Sequence, residues 1–263
     1  MTDAWRSSGC ADITAPGAEP PPGFVERVLA LIRALDARGT GLADEFPGEG
    51  LGVLSQRAKL LGLPRSGRTS CGGATRLIDT RAGTIALSLA RPSDHDLLPA
   101  WHALAGGDPA TATARELAEA AAELGLPCAA VGEVSDRRPV LTAGLGAAPP
   151  RALAGARVIS LGALWAGPLA AHLLARMGAD VTAVESTTRP DGSRATPAFF
   201  AALRRGVKGT VLDFGEPRKL ATLLESADVV IEASRPRALR QLGIDAEAIA
   251  SRGPQVWVSL TAY

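Results

Sequence analysis

The strongest constraint on the fold is a regular alternation of short apolar strands and helices from residue 157 onward. Strand patterns and helical patterns follow one another, with strands at 157–161, 180–184, 209–213, 228–232 and 255–260, and helices at 167–177, 196–204, 216–226 and 245–251. Such alternation is typical of a parallel sheet with helices on both faces. Residues 157–263 are therefore predicted to form a Rossmann-like α/β domain.

The part before residue 157 predicts a smaller α+β segment. Apolar residues recur at helical spacing over 24–37, and a β-hairpin is expected over 74–91, with its turn at Arg81-Ala82-Gly83. The remaining expectations are helices at 54–61, at 94–104 and from the capping box Thr113–Glu116 to residue 124, and a strand at 128–131. The predicted organisation is a flexible tail at 1–22, a small α+β segment at 23–142, a linker at 143–156 and the α/β domain at 157–263.

Composition limits the kinds of binding partner and the cellular compartment that are expected for this protein. The net charge is +1, which gives no sign of a nucleic-acid or membrane-surface binder. The three cysteines, Cys10, Cys71 and Cys128, form neither a metal-ligand spacing nor a disulfide framework. The N-terminus lacks the apolar stretch of a signal peptide, and no apolar run is long enough to span a bilayer. These features favour a reducing, cytoplasmic location.

The first loop of the α/β domain is the main candidate for ligand binding. The run Leu161-Gly-Ala-Leu-Trp-Ala-Gly-Pro168 follows a strand and opens a helix, whose N-terminus offers free N–H groups to a phosphate or carbonyl. Glu185 ends the second strand, where a dinucleotide-binding fold places its ribose-binding acid. An NAD-dependent oxidoreductase is thus one interpretation, but G-x-G-x-x-G is missing and Trp165 is bulky. Another interpretation is that Gly162 and Gly167 only allow the chain to turn.

Six segments in order resemble one family, the class III CoA-transferases (CaiB/BaiF), which include formyl-CoA and carnitine-CoA transferases and α-methylacyl-CoA racemases. The segments are VISLGALWAGP (158–168), LARMGADVTAVES (174–186), GTVLDF (209–214), LLESADVVIEASRP (223–236), LGI (242–244) and PQVWVSLTAY (254–263). Within the smaller segment, GATRLIDTRAGTIALSLARPSD (73–94) and LGLPCAAVGE (124–133) resemble the family's small domain, over roughly residues 50–135.

The resemblance implies a CoA site rather than a resident cofactor or a metal site. The loop after the first strand would lie against CoA, and the segment after the fourth strand would run along the nucleotide, with basic residues near the phosphates. The residues implied are Trp165, Ala166, Gly167, Ala233, Ser234, Arg235, Arg237, Arg240 and Lys208, with Arg204 and Arg205 as further phosphate candidates. Glu185 is expected to fix the loop or hold an arginine, and His172 to be packed or solvated rather than catalytic.

The family chemistry implies a nucleophilic Asp that forms a mixed anhydride and then an enzyme–CoA thioester. In the family this residue follows an S-x-[ST]-G-[FY]-G strand, which corresponds here to Ser259–Tyr263, with Ala262 where Gly is usual. The catalytic Asp is therefore expected beyond Tyr263, which leaves three interpretations: a fragment, one of two complementary chains, or a degenerate module. A non-catalytic CoA-binding module remains the alternative function, and transferase and racemase activity remain undistinguished. A homodimer is implied by resemblance, with an acyl-CoA and a small carboxylic acid as substrates.

Overall fold

The computed structural model describes residues 3–134, 140–146, 149, 151–234, 238–253 and 255–260. The chain forms two compact units, of which unit 1 comprises Met1–Leu29 with Phe46–Pro139 and unit 2 comprises Ala30–Glu45 with Val140–Tyr263. Within the described ranges, no helix has both the length and the apolar character that crossing a membrane requires.

The helices are α1 Asp3–Ser7, α2 Cys10–Ile13, α3 Phe24–Asp36, α4 Leu42–Glu45, α5 Gln56–Leu61, α6 Pro92–Asp96, α7 Leu98–Leu104, α8 Ala114–Leu124, α9 Ala166–Arg176, α10 Pro197–Leu203, α11 Pro217–Glu225, α12 Ala238–Gln241 and α13 Ala246–Ser251, with 3-10 helices at Leu51–Leu54 and Gly192–Ala195. The strands are β1 Thr75–Asp79, β2 Thr84–Ser88, β3 Cys128–Ala130, β4 Arg157–Ser160, β5 Asp180–Ser186, β6 Lys208–Leu212, β7 Val229–Glu232 and β8 Val256–Ser259.

Unit 1 contains a three-stranded antiparallel sheet in the order β1-β2-β3. Its core joins one face of the sheet to α7 and α8 through Ile85, Leu87, Trp101 and Leu117, which are each at most 5% exposed. The indole N–H of Trp101 donates to the carbonyl of Leu117 at 2.8 Å, so this large ring is buried without an unpaired polar atom. The predicted hairpin and the predicted capping box at Thr113 are both confirmed.

Unit 2 contains a five-stranded parallel sheet in the order β6-β5-β4-β7-β8. Successive residues of β4 point to opposite faces, as the twofold period of a strand requires. Val158 therefore packs with Ala171 of α9, whereas Ile159 packs with Leu220 and Leu224 of α11. The sheet is covered on both faces, and the predicted Rossmann-like α/β domain is confirmed.

Two local predictions differ from the structure. The single helix expected over 94–104 is two helices, α6 and α7, separated at Leu97, because Pro99 lies in the first turn of α7 and cannot continue a preceding helix. The 1–22 segment, expected to be a flexible tail, contains α1 and α2. Trp5 and Cys10 are buried there, and the Trp5 ring lies edge-on to Phe24 with 6.3 Å between centroids. Burial of these side chains explains why the segment is folded despite its Gly and Pro.

A close approach of two glycines shapes the first loop of unit 2. A Cβ atom added to Gly162 would lie 2.6 Å from the Cα atom of Gly167, and one added to Gly167 would lie 2.6 Å from the Cα atom of Gly162. The obstructing atoms are backbone, so they cannot move aside as a flexible side chain would. The turn from β4 into α9 therefore needs glycine at both positions.

We predict that Gly162→Ala lowers the free energy of unfolding by about 1–3 kcal/mol, the usual cost of overpacking. Urea unfolding followed by circular dichroism measures this change. Gly209→Ala is the matched control, because a Cβ at Gly209 in β6 would meet no atom within 4 Å. Equal unfolding midpoints for the two variants would contradict the close approach.

Candidate functional site

The order of strands places the candidate site at the carboxyl ends of β4 and β7. From β4 the chain runs to β5 and β6 on one side, then returns to β7 and β8 on the other, so the strand order reverses between β4 and β7. The N–H of Leu161 donates to the carbonyl of Ile231 at 2.7 Å, which holds the two strand ends together. Ligands of open α/β sheets bind in the crevice outside such a reversal.

The loop after β4 leads into α9 with its first N–H groups uncapped. Trp165 is the N-cap residue, and its side chain makes no capping hydrogen bond. The N–H groups of Ala166 and Gly167 have no partner within the helix, as at any helix N-terminus, and Pro168 has no N–H to offer. Ala166 is exposed, and the indole N–H of Trp165 is buried without an acceptor in the described part of the chain. This end of α9 is suited to bind an anion or a carbonyl oxygen.

A buried carboxylate, Asp191, lies in the segment after β5 and accepts a hydrogen bond from the loop after β4. Its side chain is 1% exposed, and one carboxylate oxygen accepts from the N–H of Leu164 at 3.0 Å and from the N–H and hydroxyl of Ser193 at 2.9 and 2.8 Å. The other oxygen accepts from Nη2 of Arg204 at 2.9 Å. Leu164 has a φ of 68°, in the left-handed region that residues other than glycine rarely adopt, and is 61% exposed. The bond from Asp191 therefore supports a strained loop.

Burial by itself raises the pKa of Asp191, but the hydrogen bonds from Ser193, Leu164 and Arg204 outweigh it, so the pKa lies below its ordinary value. The carboxylate is consequently ionised at neutral pH. It balances the charge of Arg204, whose side chain is only 12% exposed.

Glu185, near the end of β5, forms hydrogen bonds to the segment that contains Asp191 and Arg194. Both of its carboxylate oxygens accept from Arg194, at 2.8 and 2.9 Å, and one also accepts from the N–H of Asp191 at 2.9 Å. The bond from Arg194 keeps the pKa of Glu185 below its ordinary value. The expectation that Glu185 fixes the loop or holds an arginine is confirmed, and both oxygens are already engaged rather than open to a ribose.

Glu232 fixes the loop after β7 in a similar way. It is 7% exposed, and one carboxylate oxygen accepts from the N–H of Ser234 at 3.0 Å and from the Ser234 hydroxyl. The other oxygen accepts from the hydroxyl of Ser259 at 2.8 Å, which links the ends of β7 and β8. Ser234 is thus held at the edge where the loop after β4 also lies, and Ala233 beside it is exposed.

The structure brings some of the predicted residues together and separates others. Trp165, Ala166 and Gly167 lie at the carboxyl end of β4, and Ala233 and Ser234 lie at that of the adjacent strand β7. Arg240 is exposed on α12, which follows the β7 loop. The predicted Arg235 and Arg237 lie outside the described residues.

Lys208 does not share this edge. It begins β6, so it lies at the amino end of the sheet, and its ammonium group is 2.7 Å from the carboxylate of Asp180. Arg205, three residues before Lys208, pairs with Glu45. The amino edge also has a cleft of about 450 Å³, in which Arg151 and Arg252 pair with Asp228 and Glu225. Its cations are largely neutralised.

His172 lies on α9 and is packed rather than free. It is 7% exposed, and its Nδ1 atom is 2.8 Å from the carbonyl oxygen of Arg205. This confirms the expectation of a packed histidine. In the described ranges, no three or more His, Cys, Asp or Glu side chains are placed to hold a metal ion.

Asp191 and Glu232 are the site residues that sequence reasoning missed. Each had a local signal: Asp191 precedes glycine in a turn-forming Pro-Asp-Gly run, and Glu232 ends the apolar strand sequence VVIE with a charge. A buried charged residue needs hydrogen-bond partners, and for each of these carboxylates at least one partner lies far away in sequence.

Comparison with known proteins bears on unit 2. Residues 153–263 match the model of CoA-transferase family III. The chain is 35% identical over 133 residues to a succinate–glutarate CoA-transferase from Agrobacterium fabrum, covering 44% of this chain and 33% of that protein. It is 32% identical over 128 residues to a probable fatty acyl-CoA transferase from Mycobacterium tuberculosis, covering 44% and 32%. The chain thus spans about a third of the length of these relatives.

Among solved structures, a hypothetical protein from M. tuberculosis is 33% identical, with 44% of this chain and 35% of that chain covered and a TM-score of 0.39. A CaiB/BaiF family protein from Brucella suis is 31% identical, with 42% and 33% covered and a TM-score of 0.39.

The sequence match begins just before β4 and includes every strand of the parallel sheet. Residues 153–263 are therefore similar to CoA-transferase family III.

Proposed function

We propose that the carboxyl edge of the unit 2 sheet binds the CoA portion of an acyl-CoA, and that the protein serves the transfer of CoA between an acyl-CoA and a carboxylic acid. The observation that carries the proposal is the uncapped N-terminus of α9 at the reversal of strand order. A helix N-terminus favours phosphate and carbonyl oxygens, both of which CoA carries. The family match over residues 153–263 supports the same ligand.

The proposed contacts follow from the positions of the two loops. The N–H groups of Ala166 and Gly167 would donate to an oxygen of CoA, with the unpaired indole N–H of Trp165 as a further donor after a small movement of the ring. Ala233 and Ser234 would line the nucleotide. Arg235, Arg237 and Arg240 remain proposed phosphate partners on the strength of the family resemblance.

The substrate pair is proposed from a relative. Because a protein 35% identical to this chain is named a succinate–glutarate CoA-transferase, succinyl-CoA with glutarate is the first pair to assay. The proposal assigns no catalytic nucleophile and no resident cofactor to residues 1–263. Transfer of CoA by the chain alone would contradict that assignment, and CoA binding without transfer would agree with it and with the alternative of a non-catalytic CoA-binding module.

We further propose that the protein acts in the cytoplasm and assembles as a homodimer or with a complementary chain. The family resemblance supports assembly, and the three free cysteines are compatible with a reducing compartment. No interaction with nucleic acid or a membrane is included in the proposal.

The first test is calorimetric titration of the purified chain with CoA, with NAD as the control ligand. Saturable binding of CoA and not of NAD is expected, because Glu185 is already engaged by Arg194 and the sequence lacks G-x-G-x-x-G. Binding of NAD in preference to CoA would instead support a dinucleotide-dependent enzyme. Absence of CoA binding to the folded chain would overturn the proposal.

Ala166→Glu tests the N-terminus of α9 directly. A carboxylate in the first turn suits the helix dipole, so the fold is expected to persist, but it repels an anionic ligand. We predict a loss of CoA affinity of about tenfold or more, which corresponds to about 1.4 kcal/mol. Thr222→Glu adds the same charge on an exposed position of α11 and should leave CoA affinity unchanged. Equal effects of the two variants would remove this helix end from the site.

Asp191→Asn tests the support of the loop. Removing the charge that balances buried Arg204 is expected to cost about 3 kcal/mol of stability at pH 7 and to weaken CoA binding. Since the folded pKa of Asp191 is lowered, its charge adds stability above its unfolded pKa of about 3.9. That contribution is lost as the pH falls through the folded pKa.

The stability difference between wild type and Asp191→Asn should therefore shrink as the pH falls below about 4. Urea unfolding at a series of pH values measures the difference. Asp213→Asn is the control, since Asp213 is exposed and accepts one N–H, from Gly215 at 2.8 Å. A difference for Asp191→Asn that is small and independent of pH would contradict the role of the buried carboxylate.

A further inference from the structure

Unit 1 contains a cavity of about 500 Å³ that the proposed function does not use. It lies between the hairpin β1–β2 and the helices α6 and α7, and its volume is in the range of about 300–1,000 Å³ that is usual for ligand sites. The floor is apolar, with Leu87, Leu98 and Trp101 among its side chains. The Trp101 indole N–H is already bonded to the carbonyl of Leu117, so the ring presents carbon to the cavity.

An arginine occupies a position in this cavity where the strand pattern calls for an apolar residue. Arg76 of β1 is paired with Leu87 of β2, and Ile78 with Ile85, so all four side chains lie on the same face of the sheet. Ile85 and Leu87 are 0% and 5% exposed and belong to the core of unit 1. Arg76 thus brings a permanent positive charge to the open end of an otherwise apolar face.

The basic side chains of the cavity have no acidic partners. Besides Arg76, the described lining residues include His95 and His102 but neither Asp nor Glu. In the part of the chain that the structure describes, none of these three side chains makes a hydrogen bond or an ion pair, and His102 has only a ring contact with Trp101 at 5.0 Å between centroids. Asp94 on the same helix as His95 is engaged, because its carboxylate accepts from the N–H of Arg91 at 2.9 Å.

We propose that this cavity is a binding site for a small carboxylate that carries an apolar chain or ring. The apolar body would pack on Leu87, Leu98 and Trp101, and the carboxylate would pair with the guanidinium of Arg76. Arg binds carboxylates through two parallel N–H···O bonds, which a neutral head group cannot form equally well. His95 and His102 supply further polar contacts at the rim. The inference rests on unit 1 alone and does not depend on CoA binding by unit 2.

Calorimetric titration of the full chain with octanoate tests this inference, with octan-1-ol as the probe lacking charge and acetate as the probe lacking an apolar body. Octanoate is expected to bind saturably, at least about tenfold more tightly than octan-1-ol. Acetate is expected not to bind measurably. Octanoate that does not bind, or that binds no better than octan-1-ol, would overturn the proposal.

Two variants locate the site. Arg76→Gln should weaken octanoate binding by about tenfold or more and abolish the preference for octanoate over octan-1-ol. Arg115→Gln is the matched control, because Arg115 is an exposed residue of α8 outside the cavity whose guanidinium pairs with Glu119. Octanoate binding that Arg76→Gln leaves intact would contradict the assigned site.

Ala74→Leu provides a test that removes no charge and so remains informative if Arg76→Gln is unstable. Ala74 lines the cavity, and the added carbons would occupy the space proposed for the ligand body. Octanoate binding should be lost in this variant, while the CoA titration stays as in the wild type. Unchanged octanoate affinity in Ala74→Leu would place the ligand elsewhere.

Discussion

The geometry of the carboxyl edge of the unit 2 sheet depends on the hydrogen bonds that the carboxylate of Asp191 accepts. A carboxylate that is 1% exposed would be strongly unfavourable without partners, and the chain supplies four donors from three different segments. These bonds join the loop after β4 to the segment after β5 and to the end of α10. Leu164 keeps its strained backbone conformation because Asp191, which lies outside this loop, accepts a hydrogen bond from its N–H.

Two further buried or half-buried carboxylates at this edge, Glu185 and Glu232, are also engaged by hydrogen bonds. Glu185 is occupied by Arg194, and Glu232 by Ser234 and Ser259, so each carboxylate orders backbone rather than facing solvent as a free acid. By contrast, no side chain caps the first N–H groups of α9, and these carry a partial positive charge. The open N-terminus of α9 at this edge favours an anionic ligand. This is the physical basis for the proposal that CoA binds here.

The core of unit 1 is open at one end, beside a charged side chain. The small antiparallel sheet of this unit has one face in a core with α7 and α8, and that core is built around Trp101. The core does not close completely at Arg76, where a charged side chain stands beside an apolar floor. Burying an unpaired arginine in such a core would be costly, which is why we propose that a ligand with its own negative charge occupies the space beside it.

The sequence by itself determined the alternation of strands and helices in 157–263, the hairpin, the capped helix α8 and the loop from β4 into α9. All of these follow from short-range patterns: hydrophobic periodicity, turn residues and capping boxes act within a few positions along the chain. It also indicated that Glu185 fixes the loop or holds an arginine. The break between α6 and α7 was missed because the local apolar pattern outweighed the signal of Pro99.

Only the tertiary structure decided which residues meet. The pairing of Asp191 with Leu164 and Arg204, of Glu232 with Ser259, and of Arg76 with the face of Leu87 joins residues that no local pattern connects. It likewise separated Lys208 from the carboxyl edge, since the first residue of a parallel strand lies at the opposite end of the sheet from the loops that follow it. Strand direction and register are set by packing over the whole domain, and they decide which charges are neighbours.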